Sequence, residues 1–149
     1  MIVKTGFQIR SWGAWLLAVY FFSGASIGWA AGLLDIGAPD DAATQWQICE
    51  GEPPGCEFAV IWLDKDSGAL GAYVRAPKSY FFRRASHTAT ERVIVLRGRI
   101  TAGVDDGGDG MLTPGMYWNI PGSLVHWMRC EDACLMYIEF DKPFDRVFH

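Results

Sequence analysis

The sequence predicts an all-β domain of the sandwich or barrel class, preceded by a short export sequence. From residue 56 onward, about eight short runs rich in β-branched and aromatic residues are separated by turn residues. No helix-forming stretch lies between these runs, which excludes a parallel βαβ architecture. Aromatic residues make up 14% of the chain, and such a proportion suits a β-sheet core or an aromatic-lined pocket.

Length, composition and charge exclude several classes of protein. The chain has 149 residues, which is enough for one domain of ordinary size. Half of its residues are hydrophobic, and this proportion excludes a disordered chain. The formal net charge of -4 argues against a nucleic-acid partner, because such proteins need clustered positive charge.

Residues 1–30 form a different kind of sequence. Two basic residues and no acidic residue precede Asp35, an apolar run occupies 12–22, and small residues follow it. This order predicts a secretory signal peptide, and cleavage after Ala30 would put Gly28 and Ala30 at the two small-residue positions. The alternative is an uncleaved membrane anchor, but the apolar run is shorter than the roughly 20 residues of a spanning helix. We therefore expect export to a periplasm or beyond, with no stable membrane span after cleavage.

The four cysteines follow the predicted cleavage point. In an oxidising compartment the simplest pairing is two local disulfides, Cys49–Cys56 and Cys130–Cys134, although three pairings of four cysteines are possible. Short loops of this kind would pin turns. A zinc site formed by His126, Cys130 and Cys134 is the alternative, and its spacing differs from that of zinc fingers.

The remaining chain divides into a leader at 31–55 and a barrel domain at 56–149. A short helical turn is predicted at 42–46. Segments rich in glycine, proline and aspartate predict turns between the strands of this domain, as at 64–68 and 105–110. The predicted strands are 58–63, 69–75, 80–82, 91–97, 99–104, 116–120, 124–129 and 134–140.

Two histidines and one glutamate are the candidates for chemistry. His87 and Glu91 are separated by an even number of residues, so on extended chain both share a face with Val93 and Val95. A histidine and a carboxylate on an apolar face need a partner, such as a metal, a hydrogen bond or pocket water. His126, on a later strand, is predicted to lie near them. Two imidazoles and one carboxylate can hold a first-row metal with open positions.

These residues lie in two motifs that resemble those of small single-domain cupins of the RmlC-like superfamily. The first motif has His87, three residues, Glu91, six residues and Gly98. The second has Gly115, five residues, Pro121 and then His126. The resemblance implies an antiparallel jelly-roll β-barrel, a divalent metal such as Zn, Mn, Fe or Ni, a small-molecule ligand and pairing into a homodimer.

One departure from the cupin pattern concerns the metal. Metal-binding cupins usually carry a second histidine two residues before the first-motif histidine, and here that position is Ala85. The predicted ligand set is therefore reduced to His87, Glu91 and His126, which would bind a metal more weakly or leave more positions open. Alternatively, no metal binds, and Arg83 pairs with Glu91 in its place.

Further pocket candidates are Tyr117 and Trp127, which would line the pocket mouth unless they pack within the sheets. Three functions remain open. The chain is a metal-dependent enzyme acting on a small molecule, such as an oxygenase, isomerase or lyase; a non-catalytic binding protein; or a structural domain with a degenerate metal site. No residue pattern identifies a catalytic acid or base, so the reaction stays unassigned.

Overall fold

The computed structural model describes residues 38–41 and 44–149, which contain eleven strands. The predicted signal peptide and the first part of the leader lie outside these residues. No helix in the described part of the chain is long and apolar enough to span a membrane. The strands are β1 Gln47–Ile48, β2 Glu57–Leu63, β3 Leu70–Ala76, β4 Phe81–Ser86, β5 Glu91–Arg97, β6 Ile100–Val104, β7 Asp109–Leu112, β8 Tyr117–Ile120, β9 His126–Cys130, β10 Cys134–Phe140 and β11 Val147–Phe148.

The strands form two antiparallel sheets that share one core. The first sheet has the order β1-β2-β3-β10-β5-β8, and the second has the order β11-β4-β9-β6-β7. Residues of both sheets belong to a single buried cluster, which includes Val93 and Met136 from the first sheet and Ile100 and Met128 from the second. The two sheets therefore pack face to face as a jelly roll, and the predicted all-β class is confirmed.

Alternation along β5 shows why the sequence folds this way. Glu91, Val93 and Val95 are buried, whereas the intervening Ile94 and Leu96 are exposed. Because side chains on a strand point alternately to opposite faces, the apolar core and Glu91 share one face. The same alternation therefore directs the side chain of Glu91, at the start of β5, into the interior of the domain.

The predicted strands are found with small shifts in their bounds, and three further strands appear. β4 extends to Ser86, beyond the predicted range 80–82. Its buried residues are Phe82 and Ala85, which are separated by two exposed arginines and by a shift of the pairing register, so simple alternation does not mark the strand. β7 begins inside the predicted turn at 105–110 and pairs with β6. β1 and β11 are two-residue edge strands. The predicted helical turn at 42–46 is absent from its described residues, 44–46.

The leader is attached to the first sheet. β1 pairs with β2 through Gln47↔Phe58 and Ile48↔Glu57. Beyond β1, the Sγ atoms of Cys49 and Cys56 lie at disulfide distance, and Cys130 and Cys134 form a second such pair across the turn between β9 and β10. These are the two local pairs expected from the sequence, and such pairs suit an oxidising environment.

The glycine of the first motif is required by backbone geometry. Gly98 has a φ of 80°, and a Cβ atom there would lie 2.5 Å from the carbonyl oxygen of Ala133. We expect Gly98→Ala to lower the free energy of unfolding by about 1–3 kcal/mol, because the substitution adds left-handed strain and a backbone clash. Urea denaturation followed by tryptophan fluorescence measures this change.

Gly110→Ala is the matched control, since a Cβ at Gly110 meets no atom within 4 Å and its φ lies outside the left-handed range. Equal denaturation midpoints for the two variants would contradict the role assigned to Gly98.

Candidate metal centre and cavity

Three segments bring two histidines and one glutamate together in the interior. His87 follows β4, Glu91 begins β5 and His126 begins β9. Their exposures are 6%, 3% and 4%, respectively. One ligand atom from each residue lies within 4.8 Å of those of the other two. The structure thus joins the three residues that the sequence proposed as ligands.

Both imidazoles direct the same ring atom toward one carboxylate oxygen. His87 Nε2 lies 3.2 Å from Glu91 Oε2, and His126 Nε2 lies 3.1 Å from it. Aromatic rings fix the imidazoles from the side: Phe140 packs edge-on against His87 at 5.0 Å, and Trp118 packs edge-on against His126 at 5.7 Å between centroids. Rotation of either ring is therefore restricted.

The other ring nitrogens contact backbone carbonyls. His87 Nδ1 contacts the carbonyl oxygen of Asp145, and His126 Nδ1 lies 3.0 Å from that of Leu124. A carbonyl oxygen only accepts hydrogen bonds, so each Nδ1 carries the proton and donates it. In the neutral ring this leaves a lone pair on Nε2. Metal-ligating histidines commonly have this arrangement, in which a second group fixes the tautomer.

Glu91 Oε2 lacks a satisfactory partner. The atom is buried, and among the described residues no group makes a hydrogen bond of good geometry to it. The two Nε2 atoms are close enough for ionic contact but are not aligned as hydrogen-bond donors. Burying such an oxygen is unfavourable. Two nitrogen lone pairs and a carboxylate oxygen converge here, and a divalent metal fits this donor set.

Electrostatics couples the three side chains. Burial opposes the ionisation of Glu91, but contacts with His126 and His87 outweigh burial and lower its pKa. Burial opposes protonation of His126, but its contact with Glu91 prevails and raises its pKa. Glu91 and His126 therefore each favour the charged form of the other.

The cluster opens into a cavity of about 280 Å³ between the sheets. Most of its wall is apolar, and it includes Val60, Ile138 and Phe144. Charged residues other than Glu91 also line it: Glu50, Glu52, Arg83 and Arg146. A concave, mostly apolar space with a few polar groups is typical of a small-molecule site.

Comparison with protein families identifies the domain. The matching family model is described as the ChrR cupin-like domain, and the match spans residues 38–143. The chain belongs to this cupin family. The resemblance drawn from the two motifs is thereby confirmed at the level of the cupin domain. The match begins in the leader, whose β1 is part of the first sheet.

Solved structures of cupins are similar to this chain in fold. A cupin-2 domain from Rhodospirillum rubrum shares 16% identity at a TM-score of 0.64, covering 76% of this chain and 80% of that one. An RmlC-like cupin from Shewanella frigidimarina shares 17% identity at 0.59, covering 67% and 85%. A DMSP lyase from Ruegeria pomeroyi shares 17% identity at 0.63, covering 72% and 61%. These identities establish the fold alone. No curated protein matches the chain.

Three of the four pocket candidates of this cupin domain line the cavity, namely Arg83, Ala85 and Trp127. Ala85 pairs with His126 in the ladder between β4 and β9, is buried and lines the cavity. Trp127 also lines the cavity. Tyr117 lies elsewhere: it is 74% exposed and is not among the cavity residues. On β8 it has the parity opposite to that of the buried Ile120, so it faces outward.

Arg83 does not take the place of a metal beside Glu91. It lines the cavity, but its guanidinium donates to the carbonyl of Gly51 at 3.0 Å and lies 4.0 Å from the ring centroid of Phe148. The ionic contacts of Glu91 within the described residues are with His87 and His126. The alternative in which Arg83 pairs with Glu91 is therefore wrong.

The alternative zinc site also fails on geometry. Cys130 and Cys134 are paired with each other, so neither thiol is available beside His126. Within the described chain, the group of potential metal ligands that contains His126 is completed by His87 and Glu91.

The cavity also holds a polar pair that the sequence did not predict. Arg146 donates through Nη1 to Glu52 Oε1 at 2.9 Å, and 94 positions separate the two residues. Neither residue belongs to a cupin motif, and no local pattern predicts the contact. The contact between Arg146 and Glu52 depends on the path of the chain after β10. The same segment places the carbonyl oxygen of Asp145 beside His87.

The coupling of His126 and Glu91 predicts a pH dependence in the chelator-treated chain. The raised pKa of His126 means that its contribution is present below pH 6.5 and is lost as the pH rises through the folded value. The lowered pKa of Glu91 means that its contribution is present above pH 4.5 and is lost as the pH falls. The free energy of unfolding should therefore decline on the alkaline side of pH 6.5.

Urea denaturation on both sides of pH 6.5 measures this decline. His126→Gln should flatten it, whereas His149→Gln, which alters an exposed histidine outside the cluster, should retain it. An equal decline in wild type and His126→Gln would show that another group is responsible.

Proposed function

We propose that the chain is an exported cupin that holds one divalent first-row metal through His87, Glu91 and His126 and binds a small molecule in the adjoining cavity. The observation that carries the proposal is the convergence of two imidazole Nε2 atoms on one buried carboxylate oxygen. Two lone-pair donors beside a buried carboxylate form a donor set that a divalent cation completes.

The donor set suggests which metals would bind. Imidazole suits Zn, Fe and Ni, and the carboxylate extends the range to Mn. Three protein ligands leave positions open for water or for a small molecule. A metal at such a site supplies Lewis acidity, which polarises a bound oxygen or lowers the pKa of bound water.

The protein's own residues would orient and shield this site. The carbonyl groups of Asp145 and Leu124 hold both histidines in the tautomer that presents Nε2. The apolar wall limits water around a ligand and strengthens electrostatic contacts within the cavity. These features favour an enzyme or a binding protein for a small molecule.

The alternative is a non-catalytic or structural cupin with a degenerate site. Ala85 favours it, because the ladder places alanine directly opposite His126, where a further ligand would complete the usual cupin set. Turnover of a small molecule by the metal-loaded chain separates the two functions. Pairing into a homodimer, which the resemblance implies, stays a prediction.

The proposed organisation is a signal peptide at 1–30, a leader at 31–55 and the cupin barrel at 56–149. Two cysteine pairs at disulfide distance support export, because disulfides persist in oxidising compartments. The basic, apolar and small-residue order of the first thirty residues supports it independently.

Metal content tests the site. The chain is produced through an export pathway with a histidine-free affinity tag, dialysed against each candidate metal and analysed for metal per chain. We expect near-stoichiometric metal in the wild type. His87→Ala and His126→Ala should each weaken affinity by at least about tenfold, since even changes outside the ligand shell lower it by that factor.

Ala85→His tests the register of the first motif. It should raise metal affinity, because its buried side faces the cavity opposite His126. Ser86→His is the matched control, since Ser86 is outside the cavity lining and contacts His149.

Absence of retained metal in the wild type under every condition would refute the metal proposal.

Export has its own test. Mass spectrometry of the chain recovered from a bacterial periplasm should show an N-terminus at Ala31, and Ala30→Arg should block cleavage because a small residue is needed there. Recovery of the uncleaved wild-type chain from the membrane fraction would support the anchor instead.

A further inference from the structure

A second charged group lines the same cavity as the histidine cluster. It is the ion pair between Arg146 and Glu52, whose side chains are 24% and 2% exposed. Glu52 is used on both oxygens: Oε1 accepts from Arg146, and Oε2 accepts from the backbone N–H of Arg83 at 3.1 Å. Glu52 therefore has no oxygen without a partner, and it holds Arg146 in place.

Arg146 makes only part of the hydrogen bonds that its guanidinium could donate. Within the described chain, Nη1 donates to Glu52, whereas Nε is buried and has no acceptor. Its guanidinium also lies 5.1 Å from the ring centroid of Phe144, another cavity residue, and this contact restricts its plane. A buried guanidinium N–H without an acceptor is unfavourable, and a ligand that accepts from it would remove that penalty.

The charges that line the cavity favour a monoanion. Three carboxylates line it, those of Glu50, Glu52 and Glu91, together with the guanidiniums of Arg83 and Arg146. With a divalent cation on the histidine cluster, the positive charges exceed the negative ones by a single unit. A singly charged carboxylate would balance this excess, whereas a phosphate dianion would reverse it.

We propose that the cavity takes a small monocarboxylic acid whose carboxylate is bound by Arg146 through guanidinium nitrogens that Glu52 does not use. A planar guanidinium and a carboxylate match in geometry, and such charge-assisted hydrogen bonds are among the strongest. The apolar body of the acid lies against wall residues such as Val60 and Ile138, and its far end faces the histidine cluster. This inference deepens the proposed function and rests on it for the excess positive charge.

Binding of acids and their amides tests the inference. The full chain, zinc-loaded and zinc-free, is titrated with propionate, butyrate, isovalerate and hexanoate, and with the corresponding primary amides. Calorimetry gives the affinities, and tryptophan fluorescence, to which Trp127 in the cavity wall contributes, gives a second readout. In the zinc-loaded chain at least one acid should bind about 10- to 100-fold more tightly than its amide, because the charge-assisted contact is lost in the amide.

A pair of variants assigns the effect to one arginine. Arg146→Gln should remove the preference for the acid and leave zinc per chain unchanged, since Arg146 is not a proposed ligand. Arg84→Gln is the matched control: Arg84 is exposed, pairs with Asp105 and is not among the cavity residues. It should retain the preference. If Arg146→Gln fails to fold because Glu52 loses its partner, Arg146→Lys keeps a positive charge without the planar fork and should show a reduced preference.

The outcomes separate this inference from the metal proposal. Retained zinc with equal affinity for acids and amides, or with no acid bound, overturns the inference alone. Tighter binding of inorganic phosphate than of every acid also overturns it. Failure to retain zinc while the zinc-free chain still prefers an acid through Arg146 overturns the metal proposal alone and supports the inference. Loss of both zinc and acid binding overturns both.

Discussion

The burial of one carboxylate sets the chemistry of this domain. Glu91 is the first residue of β5, and its buried side chain lies on the same face as Val93, which belongs to the core. A negative charge at this depth needs compensation, and the fold supplies it from two other segments, through His87 and His126. The placement of both imidazoles, and of the carbonyls that fix their tautomers, is arranged around this oxygen.

Most of the barrel could be predicted from local patterns, because strand alternation and turn residues are properties of short segments. β5 and β10 are found at their predicted bounds. β7 and β11 were missed because they are short and partly exposed, so apolar alternation does not mark them. Motif spacing predicted the three clustered side chains. It also placed Ala85 correctly in the cavity, opposite His126.

Other features of the site depend on contacts between distant segments. The pairing of Arg83 with Glu91, an alternative that the sequence left open, is not found, because Arg83 contacts Gly51 and Phe148, which are distant from it in the sequence. The same holds for the contact of Arg146 with Glu52. Spacing within a motif carries no information about such partners, so the charged residues of the cavity, Arg83, Arg146 and Glu52, could be placed only from the folded chain.

The segment after β10 has a consequence for the order of assembly. It supplies the carbonyl of Asp145 that orients His87, the guanidinium of Arg146 and the strand β11 that pairs with β4. Synthesis proceeds from the N-terminus, so the cavity is finished only after the barrel strands have emerged. His87 therefore acquires the carbonyl contact that fixes its tautomer only after the last segment of the chain has emerged and packed against β4.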